Sequence, residues 1–361
     1  MSAVKNIFKA IDFLFDTPQN KRRDIKDPEG TVVIEKDILY DEKYPKDCLM
    51  DFYHVPRSNG EKYPVVLYIH GGGWEAGDKK FRSGISKWYA LNGWYVVNIN
   101  YVLCPEYKYP VPVQNVVTAY NWIVDNAERL NLSLDNFIVT GDSAGSYFAA
   151  MVGAIDKNPT LQDKLGCATK HPVQALVLNC GVYDLRYAFV SKRLVFNLGE
   201  LMLKDYVDTG RKSFESNEYA DFISPIDYLN ENFPPCFITY SKKDLFCGGQ
   251  GELLEAALTK IGVYYEAYHS KQFKNNHCFS INTRSKEALE NDMKTLNFLR
   301  RFRNRAELAN WKEGDVVDFH KEHKSLHVLE KRAKHRIRHA EHRGRKVERK
   351  IEKHNRHNER K

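Results

Sequence analysis

The 361-residue chain is 42% hydrophobic and 12% aromatic, enough to bury a full core in one large domain or two small ones. Its formal net charge of +8 is unevenly placed: His320 to Lys361 hold 16 Lys and Arg against 6 Asp and Glu, while the first 319 residues carry 39 against 41. No apolar run of about 18 residues is present, which excludes a hydrophobic transmembrane helix. The seven cysteines (Cys48, Cys104, Cys167, Cys180, Cys236, Cys247, Cys278) are scattered, odd in number and form no C-x-x-C pair. That usage argues against a disulfide framework or a zinc site and fits reduced thiols in a cytoplasmic protein.

In chain order, Ile7, Phe8, Ile11, Leu14 and Phe15 recur at helical spacing, interrupted by Lys9 and Asp12. Residues 1–29 read as an amphipathic helix that packs on the domain or over a pocket, with membrane-surface binding as the alternative. The broken apolar run and the absence of a small-residue cleavage site argue against a secretory signal. Residues 30–305 then alternate apolar runs with helical patterns. Strands are expected at 31–34, 49–55, 65–69, 95–100, 137–140, 175–179, 236–240 and 263–268, several of them continuous Val/Ile/Leu runs suited to burial on both faces. Stripes of 3.6-residue period occupy 113–130, 251–261 and 285–303. The alternation predicts an α/β class with a mainly parallel sheet flanked by helices. Residues 181–235 interrupt the rhythm and are rich in aromatics, including Tyr183, Phe189, Tyr206 and Phe214. They are expected to form a helical lid insertion or a surface excursion with its own small core.

Gly141-Asp142-Ser143-Ala144-Gly145 follows the apolar run Phe137 to Thr140 and precedes a stretch of small residues. A strand turning sharply into a helix at G-x-S-x-G exposes the serine hydroxyl on a strained backbone, the nucleophile elbow of an α/β-hydrolase. Some 73 residues earlier, His70-Gly71-Gly72-Gly73-Trp74 follows another strand. Three successive glycines can present backbone N–H groups to a negative oxygen with no side chain in the way. Gly71, Gly72, Gly73 and the Ala144 amide are therefore the candidate oxyanion hole, and Trp74 and Tyr183 are candidate substrate contacts.

A serine needs a base, and the base an orienting carboxylate, in the order serine, acid, histidine for this fold. Asp244 follows the strand 236–240, and His277 lies in the loop after the last strand, 33 residues further on. Rivals fit less well. His269 sits at the edge of the last strand, His54 and His171 fall in the wrong part of the order, and His70 props the glycine loop. Asp184, Asp221 and Asp227 precede the strand that should carry the acid. Asp142 adjoins the nucleophile and is expected to make a structural hydrogen bond.

The run His70 to Trp74, the segment Asn100-Tyr101-Val102-Leu103-Cys104-Pro105-Glu106 and Gly141 to Gly145 together resemble the hormone-sensitive-lipase-like carboxylesterases. Within that group, the glycine motif with Gly77-Asp78-Lys79 is similar to the bacterial feruloyl-, acetyl-xylan- and carboxylesterase-type α/β-hydrolases. The resemblance covers roughly residues 30–300. It implies Ser143 as nucleophile, His277 as base, Asp244 as acid and the glycine-loop and Ala144 amides as oxyanion hole. The chain departs from the family at Val102, where arginine is usual, at Ser146, where a second glycine is common, and at Cys278, where glycine often follows the histidine. None of these removes a reacting group.

The expected reaction is ester hydrolysis through an acyl-enzyme, which calls for no metal or cofactor. An amidase or arylformamidase on the same scaffold, or an idle scaffold binding a partner through its tail, are the alternatives. That tail, 306–361, contains eight of the thirteen histidines, all from His320 onward, and a thin apolar stripe of Ala333, Ile337, Ala340, Val347 and Ile351. It reads as a mostly exposed basic helix with favourable pairs at Glu330/Lys334, Glu341/Arg345 and Glu352/Arg356. It is a solvated extension, a contact for polyanions (RNA, anionic lipid or acidic polysaccharide) or a route to homo-oligomers through the stripe. Basic residues without interleaved aromatics argue against sequence-specific nucleic-acid recognition.

Overall fold

The continuous apolar runs become the inner strands of one sheet, because only strands covered on both faces can bury every side chain. In the computed structural model, residues 4–10, 31–58, 60–190, 198–272, 274–281 and 285–303 are described. The expected tail helix and the remainder of the N-terminal segment, 1–3 and 11–30, lie outside the described residues. The strands are β1 (Val33–Leu39), β2 (Leu49–His54), β3 (Tyr63–Ile69), β4 (Tyr95–Ile99), β5 (Leu132–Asp142), β6 (Ala175–Asn179), β7 (Cys236–Ser241) and β8 (Tyr265–Ser270). They form an eight-stranded sheet in the order β1-β2-β4-β3-β5-β6-β7-β8. The pairs β1–β2 and β2–β4 are antiparallel and the others parallel. This is the α/β-hydrolase arrangement.

Side chains alternate across the sheet, as a two-residue repeat requires. Val65, Leu67 and Ile69 of β3 face one core, shared with Val116 and Tyr120 of α3 (Val111–Asp125) and with α4 (Ala144–Asp156). Val66 and Tyr68 face the other, with Ile85 and Tyr89 of α2 (Ser83–Leu91) and Phe298 and Leu299 of α9 (Lys286–Arg303). Helix α4 is buried from Ala144 through Ile155, and its small residues allow that depth. A Cβ at Gly153 would stand 2.8 Å from Leu176 of β6.

Several boundaries differ from the sequence expectation. The first strand, expected at 31–34, runs over Val33–Leu39, where pairing with β2 rather than apolar content sets its extent. It is an edge strand whose Val33 and Ile34 are exposed, so the apolar run is a poor guide there. The insertion contains α6 (Leu185–Val190) and α7 (Leu198–Val207). Its Leu185, Phe189, Leu203, Tyr206, Phe214 and Ile223 join the core of α3 and α4 rather than forming a separate one. At the N-terminal side, the helical residues 4–10, α1, bury Val4, and Lys5 pairs with Glu106 at 2.5 Å. No helix among the described residues is long and apolar enough to cross a membrane.

Helix α8 (Gln250–Ile261) packs beside β7, and its Glu255 is buried near Tyr240. Burial pushes the Glu255 carboxyl up to about 7. Because this lies above the unfolded value of about 4.3, the native state holds the proton more tightly. Stability from this group is therefore full below about pH 4 and is lost as pH rises through about 7. Glu255→Gln should raise stability near pH 8 by about 1–3 kcal/mol and flatten the decline from about pH 5. Urea unfolding at both pH values checks this, and an unchanged pH slope would refute it.

Candidate active site

The sharp turn expected at G-x-S-x-G forms where β5 ends at Asp142 and α4 begins at Ala144. Ser143, between them, adopts φ 53° and ψ −118°, a left-handed conformation that costs a residue with a Cβ on the order of 1–3 kcal/mol. The neighbours hold it there. The Ser143 N–H donates to the Asn179 carbonyl at 2.8 Å, and the Asn179 side-chain amide donates to the Gly141 carbonyl at 3.1 Å. Both flanking glycines are sterically required. A Cβ at Gly145 would fall onto the Ile69 carbonyl oxygen, and one at Gly141 would stand 2.6 Å from the same atom.

Asp142 makes the structural bond expected of it, and with an unexpectedly strong partner. Arg82 Nε donates to Oδ1 and Nη2 to Oδ2, each at 2.7 Å, and Tyr68 Oη donates to Oδ1 at 3.2 Å. Both charged side chains are buried. Burial would raise the Asp142 carboxyl, but the Arg82 guanidinium holds it below the usual carboxylate range. The same carboxylate bears on the glycine loop, since a Cβ at Gly71 would lie 2.5 Å from Asp142 Oδ2.

The glycine loop itself runs through positive φ at Gly72 (132°), Gly73 (61°) and Trp74 (66°). The Gly72 carbonyl accepts from Glu75 and Ala76 amides at 3.2 and 3.0 Å. His70 is buried beneath the loop, with Nδ1 at 2.7 Å from the Gly71 carbonyl and its ring stacked on Tyr101 at 4.4 Å. Burial lowers its pKa to about 4, so it is a neutral donor to that carbonyl. The Phe8 ring of α1 fills the space that a Cβ at Gly73 would enter. Trp74 is buried, stacked on Tyr206 at 4.8 Å and edge-on to Tyr147 at 5.5 Å. Tyr183 is also buried, its hydroxyl 3.0 Å from Ser146 Oγ and its N–H donated to Gln250 Oε1.

Asp244 and His277 arrive from the loops after β7 and β8. His277 Nε2 is 2.8 Å from Ser143 Oγ, and Nδ1 is 2.8 Å from Asp244 Oδ2. The other Asp244 oxygen accepts the amides of Phe246 and Cys247, each at 2.8 Å. Asn276, which sequence reasoning missed, ties the two loops together. Its Oδ1 accepts the Leu245 and His277 amides, and its Nδ2 donates to the Lys243 carbonyl. Burial opposes charge on His277, yet the adjacent Asp244 carboxylate carries its pKa well above the ordinary imidazole value. The reciprocal attraction keeps Asp244 below its usual range despite burial. Phe246, also missed, has its ring 5.2 Å from that of His277 and stays partly exposed beside Leu245.

The rival residues are engaged elsewhere. His54 stacks on Tyr95 at 4.9 Å, His269 on Tyr240 at 5.4 Å, and His171 faces the Pro172 carbonyl. Asp184 accepts the Tyr187 amide, while Asp221 and Asp227 bind Arg186.

Removing one member of a buried ion pair strands the other charge, at a cost of about 3–5 kcal/mol. Arg82→Met should therefore lower stability by about that amount, whereas Arg82→Met with Asp142→Asn should lose less. Chemical denaturation of both variants measures the difference, and equal losses would refute the coupling.

Residues 50–258 match the BD-FAE family. Esterase LipQ of Mycobacterium tuberculosis is 29% identical over 229 residues, covering 62% of this chain and 52% of LipQ. The acetyl esterase of Salmonella schwarzengrund is 29% identical over 187 residues, covering 50% of this chain and 55% of that protein. The chain thus spans about half the length of these relatives. Among solved structures, esterase B from Lactobacillus rhamnosis superposes with a TM-score of 0.70 at 20% identity, over 85% of this chain and 97% of the other. That likeness concerns the fold. With more than half of its length matched, the chain belongs to the BD-FAE family.

Proposed function

We propose that the protein hydrolyses carboxylic esters through an acyl-enzyme on Ser143. The observation that carries this reading is the unbroken relay from Ser143 Oγ through His277 to Asp244, with 2.8 Å at each step. The named esterases among its relatives support the same reaction class.

In this reading Asp244 holds the proton of His277 on Nδ1, which leaves the Nε2 lone pair facing Ser143. Nε2 takes the hydroxyl proton as Oγ attacks the ester carbonyl. The resulting oxyanion is received by the amides of Gly71 to Gly73 and Ala144. His277 then protonates the leaving alkoxide, and water repeats the cycle on the acyl-enzyme. His70 stays neutral throughout and fixes the loop by its bond to Gly71. Phe246 and Leu245, apolar and exposed beside His277, are the proposed contacts for the ester. Trp74 and Tyr183, the contacts expected from sequence, are buried in packed or hydrogen-bonded positions.

Ser143→Ala should cut hydrolysis of p-nitrophenyl acetate by at least about 10⁴-fold and abolish labelling by a fluorophosphonate probe. A variant that keeps the normal rate sinks the proposal. An aryl formamide offered in the same assay separates ester cleavage from amide cleavage. Because His277 must be unprotonated to act, kcat/KM should fall as pH drops through a value above about 6.5. Asp244→Asn should move that limb to lower pH and reduce kcat by about 10⁴-fold, and a pH profile left in place would contradict the assigned role.

A further inference from the structure

The relay uses the Asp244 carboxylate, the His277 ring and the Cys247 backbone amide, but has no use for the Cys247 thiol. That thiol is buried against the relay. Its sulfur, a ring nitrogen of His277 and a carboxylate oxygen of Asp244 all lie within 4.8 Å of one another. The turn that accepts the Phe246 and Cys247 amides on Asp244 holds residue 247 in this position. Sulfur, imidazole nitrogen and carboxylate oxygen form a donor set suited to thiophilic divalent cations. Tetrahedral zinc, with bonds of about 2.0–2.3 Å, sets neighbouring donors about 3.5 Å apart. The three atoms therefore need only small movements to share one ion.

We propose that Asp244, Cys247 and His277 form an inhibitory site for a thiophilic divalent cation such as Zn²⁺. The ion takes the Cys247 sulfur, His277 Nδ1 and an Asp244 oxygen, and solvent completes its coordination. The proposal rests on the esterase reading only for its effect on activity. Access comes from the His277 side, which is 19% exposed, whereas the Asp244 side chain is only 1% exposed.

The proton balance explains why binding and catalysis exclude each other. Before binding, Cys247 is a thiol, the ordinary state of a cysteine near about pH 7, and Nδ1 carries the imidazole proton. On binding, the sulfur–metal and nitrogen–metal bonds form, the thiol proton passes to solvent, and the Nδ1 proton relocates to Nε2. No electrons are transferred. A protonated Nε2 cannot accept the Ser143 proton, so the nucleophile is not activated. The titratable groups facing the thiol are His277, Asp244 and Cys180. With neutral His277, one proton is released per ion, so inhibition should tighten about tenfold per pH unit.

The test uses the full chain, p-nitrophenyl acetate and zinc chloride. The expected result is reversible inhibition, relieved by EDTA and tightening about tenfold per pH unit. Cys247→Ser, normalised to its own metal-free rate, should need at least about 100-fold more zinc. The eight histidines from His320 onward make total zinc uptake uninformative, which is why dependence on Cys247 is the readout. Zinc sensitivity equal to that of the unmodified chain, in both Cys247→Ser and a second variant, Cys247→Ala, overturns the site. A separate measurement follows the ultraviolet cadmium–thiolate band during Cd²⁺ titration. The band should diminish in the Cys247 variants and persist in Ser143→Ala; no difference between Cys247 variants and the unmodified chain overturns the site. Loss of the esterase reading would appear instead as no hydrolysis without metal, with the Cys247-dependent band intact.

Discussion

The bidentate ion pair between Arg82 and Asp142 joins two parts of the candidate site, the strand–helix turn at Ser143 and the glycine loop. Asp142 immediately precedes Ser143, the proposed nucleophile, and its carboxylate occupies the space that a Cβ at Gly71 would need. Arg82 stands at the entrance to α2, on the opposite core from α4. Two parallel hydrogen bonds at 2.7 Å define both distance and orientation, which a single contact would not. The pair's value lies in geometry more than net energy, because desolvating two charges offsets much of their attraction. A hydrophobic pair of similar volume could fill the space, but could not orient Asp142 as the fork does.

The two histidines of the site show how a local partner decides protonation. His70 is buried and His277 largely so, and burial alone disfavours charge on each. His70 meets a backbone carbonyl and the face of Tyr101, so desolvation prevails. His277 meets the Asp244 carboxylate, and attraction prevails. One ring is thereby suited to a fixed structural bond and the other to proton exchange, with the same side chain in both places.

Much of this was legible because backbone sterics leave a mark on sequence. Gly141 and Gly145 flank Ser143 because the turn leaves no room for a Cβ, whether against the Gly145 backbone or the Ile69 carbonyl, and only a residue without one satisfies this, so the constraint shows as a short glycine pattern. The inner strands could be read from apolar runs, and β6 spans Ala175–Asn179 as expected. Edge strand β1 could not, since pairing rather than burial sets its limits. Arg82 was also hidden. It lies 60 residues from Asp142, and no periodicity connects a surface-type residue to so distant a buried carboxylate. Asn276 and Phe246 were missed for a related reason: their roles depend on two loops meeting at the sheet's end, a property of topology. The aromatic insertion was visible as an interruption, but its union with the main core depended on where Leu203 and Tyr206 would pack.

The stack of Tyr206 on Trp74 links that insertion to the glycine loop. Position 74 therefore answers to two neighbourhoods at once: the backbone path of the loop and the packing of α7. An insertion transplanted from a homologue would have to bring a matching surface for this indole, or position 74 would have to change with it. Segments 70–77 and 198–207 are in this sense one unit of inheritance, although more than a hundred residues of chain separate them.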